Sequence, residues 1–195
     1  MAVKLAVIDL GTNTFKLLVA SRSAEGKLTI HHREEVPVNL GRGGIEKGVI
    51  AEDAFSRGLA ALNKMHAEAL ALGAELVEGF GTSALRSARN GGDFIRRAKE
   101  EIGLGVTIIP GEEEAGLVLD GVQQAVTFGN KPMLVMDIGG GSTEFILATD
   151  RSFLWKRSFE LGTTLRCDRG PGSDPMCMDT QLRMARPIDS QLEAP

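Results

Sequence analysis

The sequence has few cysteines, no long apolar run and no excess of positive charge, and each absence excludes a class of protein. Its longest apolar stretches, such as residues 5–8 and 133–136, fall far short of the ~20 residues that cross a bilayer, so we expect no membrane partner. The chain has 22 Lys and Arg against 26 Asp and Glu, a net charge of −4. This balance provides no general attraction for a polyanion, so we expect no nucleic-acid partner and only local anion binding.

The cysteines and the start of the chain indicate the compartment. Cys167 and Cys177 lie in a Gly/Pro-rich region without a CxxC pattern or nearby histidines, so we expect reduced thiols. At the start, Asp9 comes before any apolar region typical of a signal peptide could form. We therefore expect a cytoplasmic protein.

The most informative feature present is an internal repeat, in which residues 7–20 resemble residues 135–148. Each copy is an apolar run ending in Asp, a turn of Gly and small polar residues, and a second β-prone run. A third strand follows each copy, at residues 28–36 and 153–159. Two such β-β-β units predict an α/β protein with two similar lobes, residues 1–130 and a shorter second lobe, residues 131–195.

Helical and strand patterns alternate between the two copies. Apolar residues at three- and four-residue steps predict a helix over residues 54–72, ended by Gly73. The following elements are predicted as strand 75–80, short helix 83–88, helix 93–103 opened by Asp93, strand 106–109, and a helix over residues 112–126. In the turn-rich last stretch, Asp179 could cap a helix through residues 182–185.

The two turns indicate phosphate chemistry. Turns of Gly with Thr, Asn or Ser leave backbone N–H groups pointing outward, where they can cradle phosphate oxygens. Such turns occur at DLGTNT (residues 9–14) and DIGGGS (residues 137–142). Each strand also delivers a carboxylate, Asp9 and Asp137, and hard oxygen ligands of this kind suit Mg²⁺. A tight turn that simply ends a strand would explain one copy alone. Turn formation does not, however, require that the pattern occur twice.

Basic residues that could contact phosphate lie near these turns. Arg86 and Arg89 provide guanidinium groups suited to two-point phosphate contact, although a solvated helix face explains them equally well. Lys16 adds positive charge next to the first turn, or is simply exposed. His31, His32 and His66 have no metal-ligand spacing and are interpreted as structural.

Three consecutive glutamates, Glu112 to Glu114, stand at a predicted helix start, where acidic residues are stabilised by the helix dipole. Hydrolysis of a phosphoanhydride also needs a carboxylate that accepts a proton from the attacking water, and one of the three could do this. Ser142 and Glu144 either orient water and metal or satisfy local hydrogen bonds. The sequence has no GxxxxGK[ST] loop, which excludes ordinary P-loop NTPases.

Taken together and in this order, the motifs resemble those of the exopolyphosphatase and guanosine pentaphosphate phosphohydrolase (Ppx/GppA) family. This family is part of the actin, Hsp70 and sugar-kinase superfamily. The resemblance covers residues 1 to about 170. It rests on IDLGTNT (residues 8–14), residues 81–90, GEEEA (residues 111–115), DIGGGSTE (residues 137–144) and LGT (residues 161–163).

The resemblance implies a two-lobed ribonuclease-H-like fold of the actin type, with a complete first lobe and a truncated second lobe. It also implies an interlobe cleft for Mg²⁺ and a phosphate chain, either inorganic polyphosphate or guanosine pentaphosphate, whose terminal phosphoryl group is attacked by water. In this resemblance, the general base of the family corresponds to Glu114. The other implied or predicted site residues are Asp9, Asp137 and Glu144 for metal, and Gly11, Thr12, Asn13, Arg86, Gly139, Gly140, Gly141 and Ser142 for phosphate.

Two departures from the family pattern bear on function. Gly116 stands where several relatives carry arginine, which removes a phosphate contact. The second lobe is short, so we expect weak activity unless a second copy or a partner chain completes it. The alternatives are a binding module for polyphosphate or guanosine phosphates that has no turnover, and an ATP-using member of the same superfamily.

Overall fold

The computed structural model describes residues 2–164, so the predicted helix after Asp179 and both cysteines lie outside the described residues. The strands are β1 (Lys4–Leu10), β2 (Thr14–Arg22), β3 (Leu28–Pro37), β4 (Leu76–Gly81), β5 (Val106–Ile108), β6 (Met133–Ile138), β7 (Thr143–Ala148) and β8 (Phe153–Phe159). The α-helices are α1 (Glu52–Ala71), α2 (Ser83–Ser87), α3 (Gly91–Arg97) and α4 (Gly111–Ala125). A 3₁₀ turn at Ile45–Lys47, which the sequence did not indicate, precedes α1.

The strands form two sheets. The first has the order β3-β2-β1-β4-β5, in which β1, β2 and β3 are antiparallel and β4 and β5 run parallel to β1. This is the ribonuclease-H-like sheet that the resemblance implied. The second sheet is the antiparallel meander β6-β7-β8, which repeats the first three strands of the first sheet. The predicted fold class is therefore confirmed, with a partial second lobe.

The larger hydrophobic core lies between the first sheet and α1. Alternate residues of β1 and β2, including Ile8, Phe15 and Leu17, are buried against the apolar face of α1. This alternation is what a half-buried sheet requires, since successive strand residues point to opposite faces. The rings of Phe55 in α1 and Phe94 in α3 pack edge to face, with centroids 5.1 Å apart.

A smaller core lies under the second sheet. Ala115 and Leu119 of α4 pack with Ile146 and Ala148 of β7 and with Phe128. The helix α4 thus packs against the second sheet, while the division of the chain at residue 130 stays a prediction. Among the described residues, no helix is both long and apolar enough to cross a membrane.

The start of α3 differs from the prediction. The helix begins at Gly91 rather than at Asp93, and after Arg97 it continues as a π-helical segment (Ala98–Ile102) that ends at Gly103. The side chain of Asn90 is hydrogen-bonded to the backbone N–H and C=O of Ile50 and does not cap the helix. A Cβ on Gly91 would collide with the carbonyl oxygen of Leu85, so only glycine permits this start.

The other elements between the two copies lie within one or two residues of their predicted bounds. The helix α1 begins at Glu52, whose predecessor Ala51 makes no side-chain cap, and α4 begins at Gly111 rather than at Glu112. At its other end α4 finishes at Ala125, and β5 finishes at Ile108 rather than at residue 109. The prediction of each element's type is confirmed.

Candidate active site between two matching turns

The two repeat copies form hairpin turns with the same backbone arrangement. In the first, Leu10 pairs with Phe15 across a four-residue turn, and in the second Ile138 pairs with Thr143. A Cβ on Gly11 would lie 2.7 Å from the carbonyl oxygen of Thr14, and glycine is therefore required at this position. The corresponding Cβ on Gly139 would lie 3.1 Å from the oxygen of Ser142, which accepts a hydrogen bond from the Gly139 N–H at 2.9 Å.

The turns face each other and touch. A Cβ on Gly141 would lie 2.8 Å from Oγ1 of Thr12 and would collide with Oγ of Ser83. The second turn therefore approaches the first this closely only because residue 141 is glycine. Thr164 joins the two turns, because its Oγ1 donates to Oδ1 of Asn13 at 2.6 Å and its N–H donates to the carbonyl of Gly140 at 2.9 Å. Two separate parts of the chain thus form one site.

A cleft of about 270 Å³ lies between the turns. Ten of the twelve predicted site residues line it, and the other two, Arg86 and Glu144, stand directly behind it. The full lining is Asp9, Gly11, Thr12, Asn13, Thr14, Lys16, Thr82, Ser83, Glu114, Asp137, Ile138, Gly139, Gly140, Gly141 and Ser142.

Of the three consecutive glutamates, Glu114 is the one that faces the cleft. Glu112 and Glu113 are exposed, whereas the Glu114 side chain is only 17% exposed. Burial, followed by the charge of Glu144, raises the pKa of Glu114 to about 7, against the opposing effect of Arg86. A carboxyl group with such a pKa exchanges protons near neutral pH, which is what a general base in a hydrolase requires.

Arg86 holds this glutamate in place. Its Nη1 donates to Oε2 of Glu114 at 3.0 Å and to the carbonyl of Ile109 at 2.8 Å. Arg89, the other arginine of the segment, is exposed and lies beside Gly48, away from the residues that line the cleft. The two arginines therefore lie in different surroundings, and Arg86, which the resemblance selected, is the one in contact with Glu114.

A group of carboxylates lies around the cleft. Glu144, opposite Asp137 in the hairpin, is 1% exposed, and its Oε1 accepts a hydrogen bond from Oγ of Ser158 at 2.7 Å. Burial raises the pKa of Glu144 and of Asp9, and the charge of Asp137 raises both further. Lys16, the partner of Asp9 in its hairpin, opposes the rise at Asp9.

Comparison with known proteins decides the family. A sequence model of the Ppx/GppA phosphatase family matches residues 19–193. The chain belongs to the Ppx/GppA phosphatase family. A guanosine-5'-triphosphate,3'-diphosphate pyrophosphatase of Photobacterium profundum is 37% identical over 142 residues, which cover 73% of this chain and 28% of that protein.

Solved structures of Ppx/GppA proteins share the fold. An exopolyphosphatase from Cytophaga hutchinsonii is 40% identical, with a TM-score of 0.92, over 97% of this chain and 61% of that one. A family member from Aquifex aeolicus is 26% identical, with a TM-score of 0.75, over 94% of this chain and 59% of that one. This chain thus spans about three fifths of the length of these solved relatives.

The donor set of this Ppx/GppA cleft fits Mg²⁺. Asp9 and Asp137 present carboxylate oxygens to the cleft, and Glu144 lies directly behind Asp137. Mg²⁺ prefers oxygen ligands and commonly takes one or two carboxylates together with substrate phosphates. A bound dication would also offset the burial and the charge of Asp137, which together raise the pKa of Asp9 and of Glu144.

Some residues of the site were not identified from the sequence. Thr82 and Ser83 line the cleft between β4 and α2, directly after the strand end, and this position was the available signal. Ser158, which donates to Glu144, had no signal because it lies on another strand. His31 is hydrogen-bonded to Ser21 at 2.8 Å, and none of the three histidines lines the cleft.

Proposed function

We propose that this chain hydrolyses the terminal phosphoanhydride bond of inorganic polyphosphate or of guanosine pentaphosphate. The observation that carries the proposal is the position of Glu114, a half-buried carboxyl group with a pKa of about 7 that faces a cleft between two glycine turns. Polyphosphate and pentaphosphate both present a terminal phosphoryl group, so the same turns can bind either.

In the proposed reaction, the carboxylate of Glu114 accepts a proton from a water molecule. The oxygen of that water attacks the terminal phosphorus, the bond to the bridging oxygen breaks, and orthophosphate leaves a chain shortened by one phosphate. Backbone N–H groups of the two turns bind the phosphate oxygens, and Lys16 supplies positive charge. Mg²⁺ bound at Asp9 and Asp137 supplies further neutralisation of phosphate charge.

Arg86 has two functions in this proposal. Its hydrogen bond to Oε2 fixes the orientation of Glu114, and its charge keeps the pKa of that carboxyl group from rising further. An oriented carboxylate that is largely ionised just above neutral pH is an effective base, because it combines the correct protonation state with sufficient basicity.

Two relatives support the substrate class. Their names describe one as an exopolyphosphatase and the other as a pyrophosphatase of guanosine-5'-triphosphate,3'-diphosphate. The two matching turns are present here, with cleft residues contributed by both lobes. This is the arrangement that a linear phosphate chain gripped at several oxygens requires.

The test is orthophosphate release from long-chain polyphosphate and from guanosine pentaphosphate, with Mg²⁺, by the wild type and by Glu114→Gln. We expect the substitution to reduce the rate by about 10²–10⁴-fold, as typically follows the loss of a positioned base. Glu113→Gln is the matched control, since Glu113 is the exposed neighbour on the same helix turn, and it should retain the wild-type rate. Equal rates in the wild type and in Glu114→Gln would refute the assignment of the base.

A second candidate function is phosphate-chain binding without turnover. One observation favours it: Leu134, Met136 and Ile138 of β6 are more than half exposed, and no described strand pairs with the outer edge of β6. The second sheet would then gain order only when a second copy or a partner chain covers it. Specific activity measured against protein concentration, beside light-scattering mass, tests this. Activity that rises with association supports completion of the lobe, and tight binding without phosphate release supports the binding module.

A further inference from the structure

A cluster of side chains outside the cleft joins the edge of the first sheet to α1. His32 and Glu34 are two residues apart on β3 and therefore point to the same face of the sheet. Glu68 approaches them from α1. One ligand atom from each of the three side chains lies within 4.8 Å of the other two. None of the three lines the cleft between the turns.

The spacing of these atoms is close to that of a metal site. Zn²⁺ is bound at about 2.0–2.2 Å by His nitrogen and carboxylate oxygen, so ligand atoms in a tetrahedral site lie roughly 3.3 Å apart. Nε2 of His32 already lies 3.3 Å from Oε1 of Glu68. An oxygen of the Glu34 carboxylate lies within 4.8 Å of both the His32 and the Glu68 ligand atoms. Rotation of the Glu34 side chain would therefore bring this oxygen to an ion held between His32 and Glu68.

Two atoms of this cluster are buried without a hydrogen bond. Within residues 2–164, Nε2 of His32 and Oε2 of Glu34 make no hydrogen bond of regular geometry, and the contact of Nε2 is the 3.3 Å approach to Oε1 of Glu68. A buried polar atom without a partner is costly, and each such case in a native structure calls for an explanation such as an ion. The two orphaned atoms belong to two of the three candidate ligands.

Lys64 is a neighbour that competes with a cation for Glu34. Its Nζ lies 2.6 Å from Oε1 of Glu34 and leaves Oε2 of the same carboxylate without a partner. The Lys64 side chain is 65% exposed, so it can move into solvent when a dication binds. When the His32 imidazole is neutral, as a metal ligand is, two carboxylates against one ammonium leave an excess of negative charge at the cluster, which favours a cation.

We propose that His32, Glu34 and Glu68 bind a divalent transition-metal ion, with Zn²⁺ as the ion of matching ligand preference and solvent as the fourth ligand. An imidazole with two carboxylates is a donor set suited to Zn²⁺ rather than to Mg²⁺, which prefers oxygen ligands. The ion would tie the edge strand β3 to α1. The site is distinct from the proposed Mg²⁺ position in the cleft.

The test is Zn²⁺ binding by the full chain in millimolar Mg²⁺, which occupies the cleft carboxylates. A Cys167→Ser/Cys177→Ser background removes thiols as alternative Zn²⁺ ligands. We expect one Zn²⁺ per chain by calorimetry, a rise of several degrees in Tm, and visible d–d bands of tetrahedral type when Co²⁺ replaces Zn²⁺. All three effects should be lost in His32→Ala and in Glu68→Gln.

Two further variants separate a metal site from a structural ion-pair cluster. His31→Ala removes a neighbouring histidine that is hydrogen-bonded to Ser21, and it should bind Zn²⁺ like the background chain. Lys64→Met should tighten Zn²⁺ binding several-fold, because it removes a competing positive charge from Glu34. Absence of Zn²⁺ binding, or equal binding by the folded Glu68→Gln variant, would overturn the proposal.

Discussion

The two turn copies have the same backbone arrangement but carry opposite charges at one pair of corresponding positions. In the first hairpin Asp9 pairs with Lys16, and in the second Asp137 pairs with Glu144 at the corresponding position. Lys16 is exposed, whereas Glu144 is 1% exposed and hydrogen-bonded to Ser158. One half of the cleft thus presents an exposed cation, and the other presents Asp137 paired with a buried, hydrogen-bonded carboxylate.

The surroundings of the two turns differ in the same way. The first hairpin belongs to a five-stranded sheet whose inner face, packed on α1, includes Ile8 and Phe15, both fully buried. The second hairpin belongs to a three-stranded sheet whose edge strand β6 is largely exposed. Repetition of a turn therefore fixes local geometry, including one cleft carboxylate from each copy. The position paired with that carboxylate is free to differ, and it is Lys16 in the first copy and Glu144 in the second.

The largest expected effect comes from exchanging the charges at the corresponding positions. Glu144→Lys buries a longer, cationic side chain near Arg86 and replaces the carboxylate that accepts from Ser158, and breaking a buried polar network of this kind typically costs about 3–5 kcal/mol. Lys16→Glu changes an exposed side chain, so it should destabilise the chain less than Glu144→Lys does, through the repulsion that it adds beside Asp9, while polyphosphate binding weakens. Chemical denaturation of both variants measures the asymmetry.

Glu144→Gln is the control for this exchange, because it keeps the size of the side chain and removes only the charge. Because burial raises the pKa of Glu144, removal of its charge should leave the unfolding free energy at or above the wild-type value at neutral pH, and well above that of Glu144→Lys. If Lys16→Glu and Glu144→Lys destabilised the chain equally, the two hairpins would be equivalent in burial, and the comparison above would be wrong.

A smaller effect is expected from Gly162, which supports the second turn only. A Cβ on Gly162 would overlap the backbone of Gly140 and Gly141, and Thr163 and Thr164 beside it donate N–H groups to Gly139 and Gly140. Gly162→Ala should therefore displace the second turn, and a shift of about 1 Å can reduce a catalysed rate by roughly 10²-fold. Phosphate release with Mg²⁺ measures the loss.

Gly121→Ala is the matched glycine control. Gly121 lies in α4 with no atom within 4 Å of an added Cβ, so alanine should preserve activity and stabilise the helix by up to about 1 kcal/mol. A Gly162→Ala variant as active as Gly121→Ala would show that the position of the second turn does not limit the reaction.

The internal repeat explains why so much of this site was predictable. The turn at residues 9–14 and its copy at 137–142 depend on local backbone requirements of glycine and small polar residues, and such requirements are visible in a single sequence. The hydrogen bond from Ser158 to Glu144 and the approach of Glu68 to His32 join distant parts of the chain. No local pattern encodes these contacts, so the sequence left Glu144 ambiguous and placed His32 among structural residues.

The start of α3 has the same explanation. Asp93 is a normal first-turn residue, and local propensity favours it as the start. The observed start at Gly91 depends on contact with Leu85 and on the hydrogen bonds of Asn90 to Ile50, across 40 positions of sequence. Tertiary contact thus outweighed a weak local preference.

The smallest expected effect is a shift in pH dependence. Because Glu114 has a pKa of about 7 and acts as a base when ionised, phosphate release should rise as the pH increases through 7 and level off above it. Arg86 lowers this pKa through its hydrogen bond and its charge, so Arg86→Met should move the midpoint upward by about one unit. Rate–pH profiles of the wild type and the variant measure the shift.

Arg89→Met is the control, since Arg89 is exposed and lies outside the cleft lining, and the midpoint of its rate–pH profile should equal that of the wild type.

The raised pKa of Glu114 also has a consequence for stability. A carboxyl group whose pKa is raised from 4.5 to about 7 on folding contributes stability that is complete below 4.5 and lost as the pH rises through 7. Glu114→Gln should therefore unfold at a higher temperature than the wild type at pH 8, and the gap should close on acidification. A constant gap across this range would assign the change to packing rather than to ionisation, and would remove the pKa argument for Glu114 as the base.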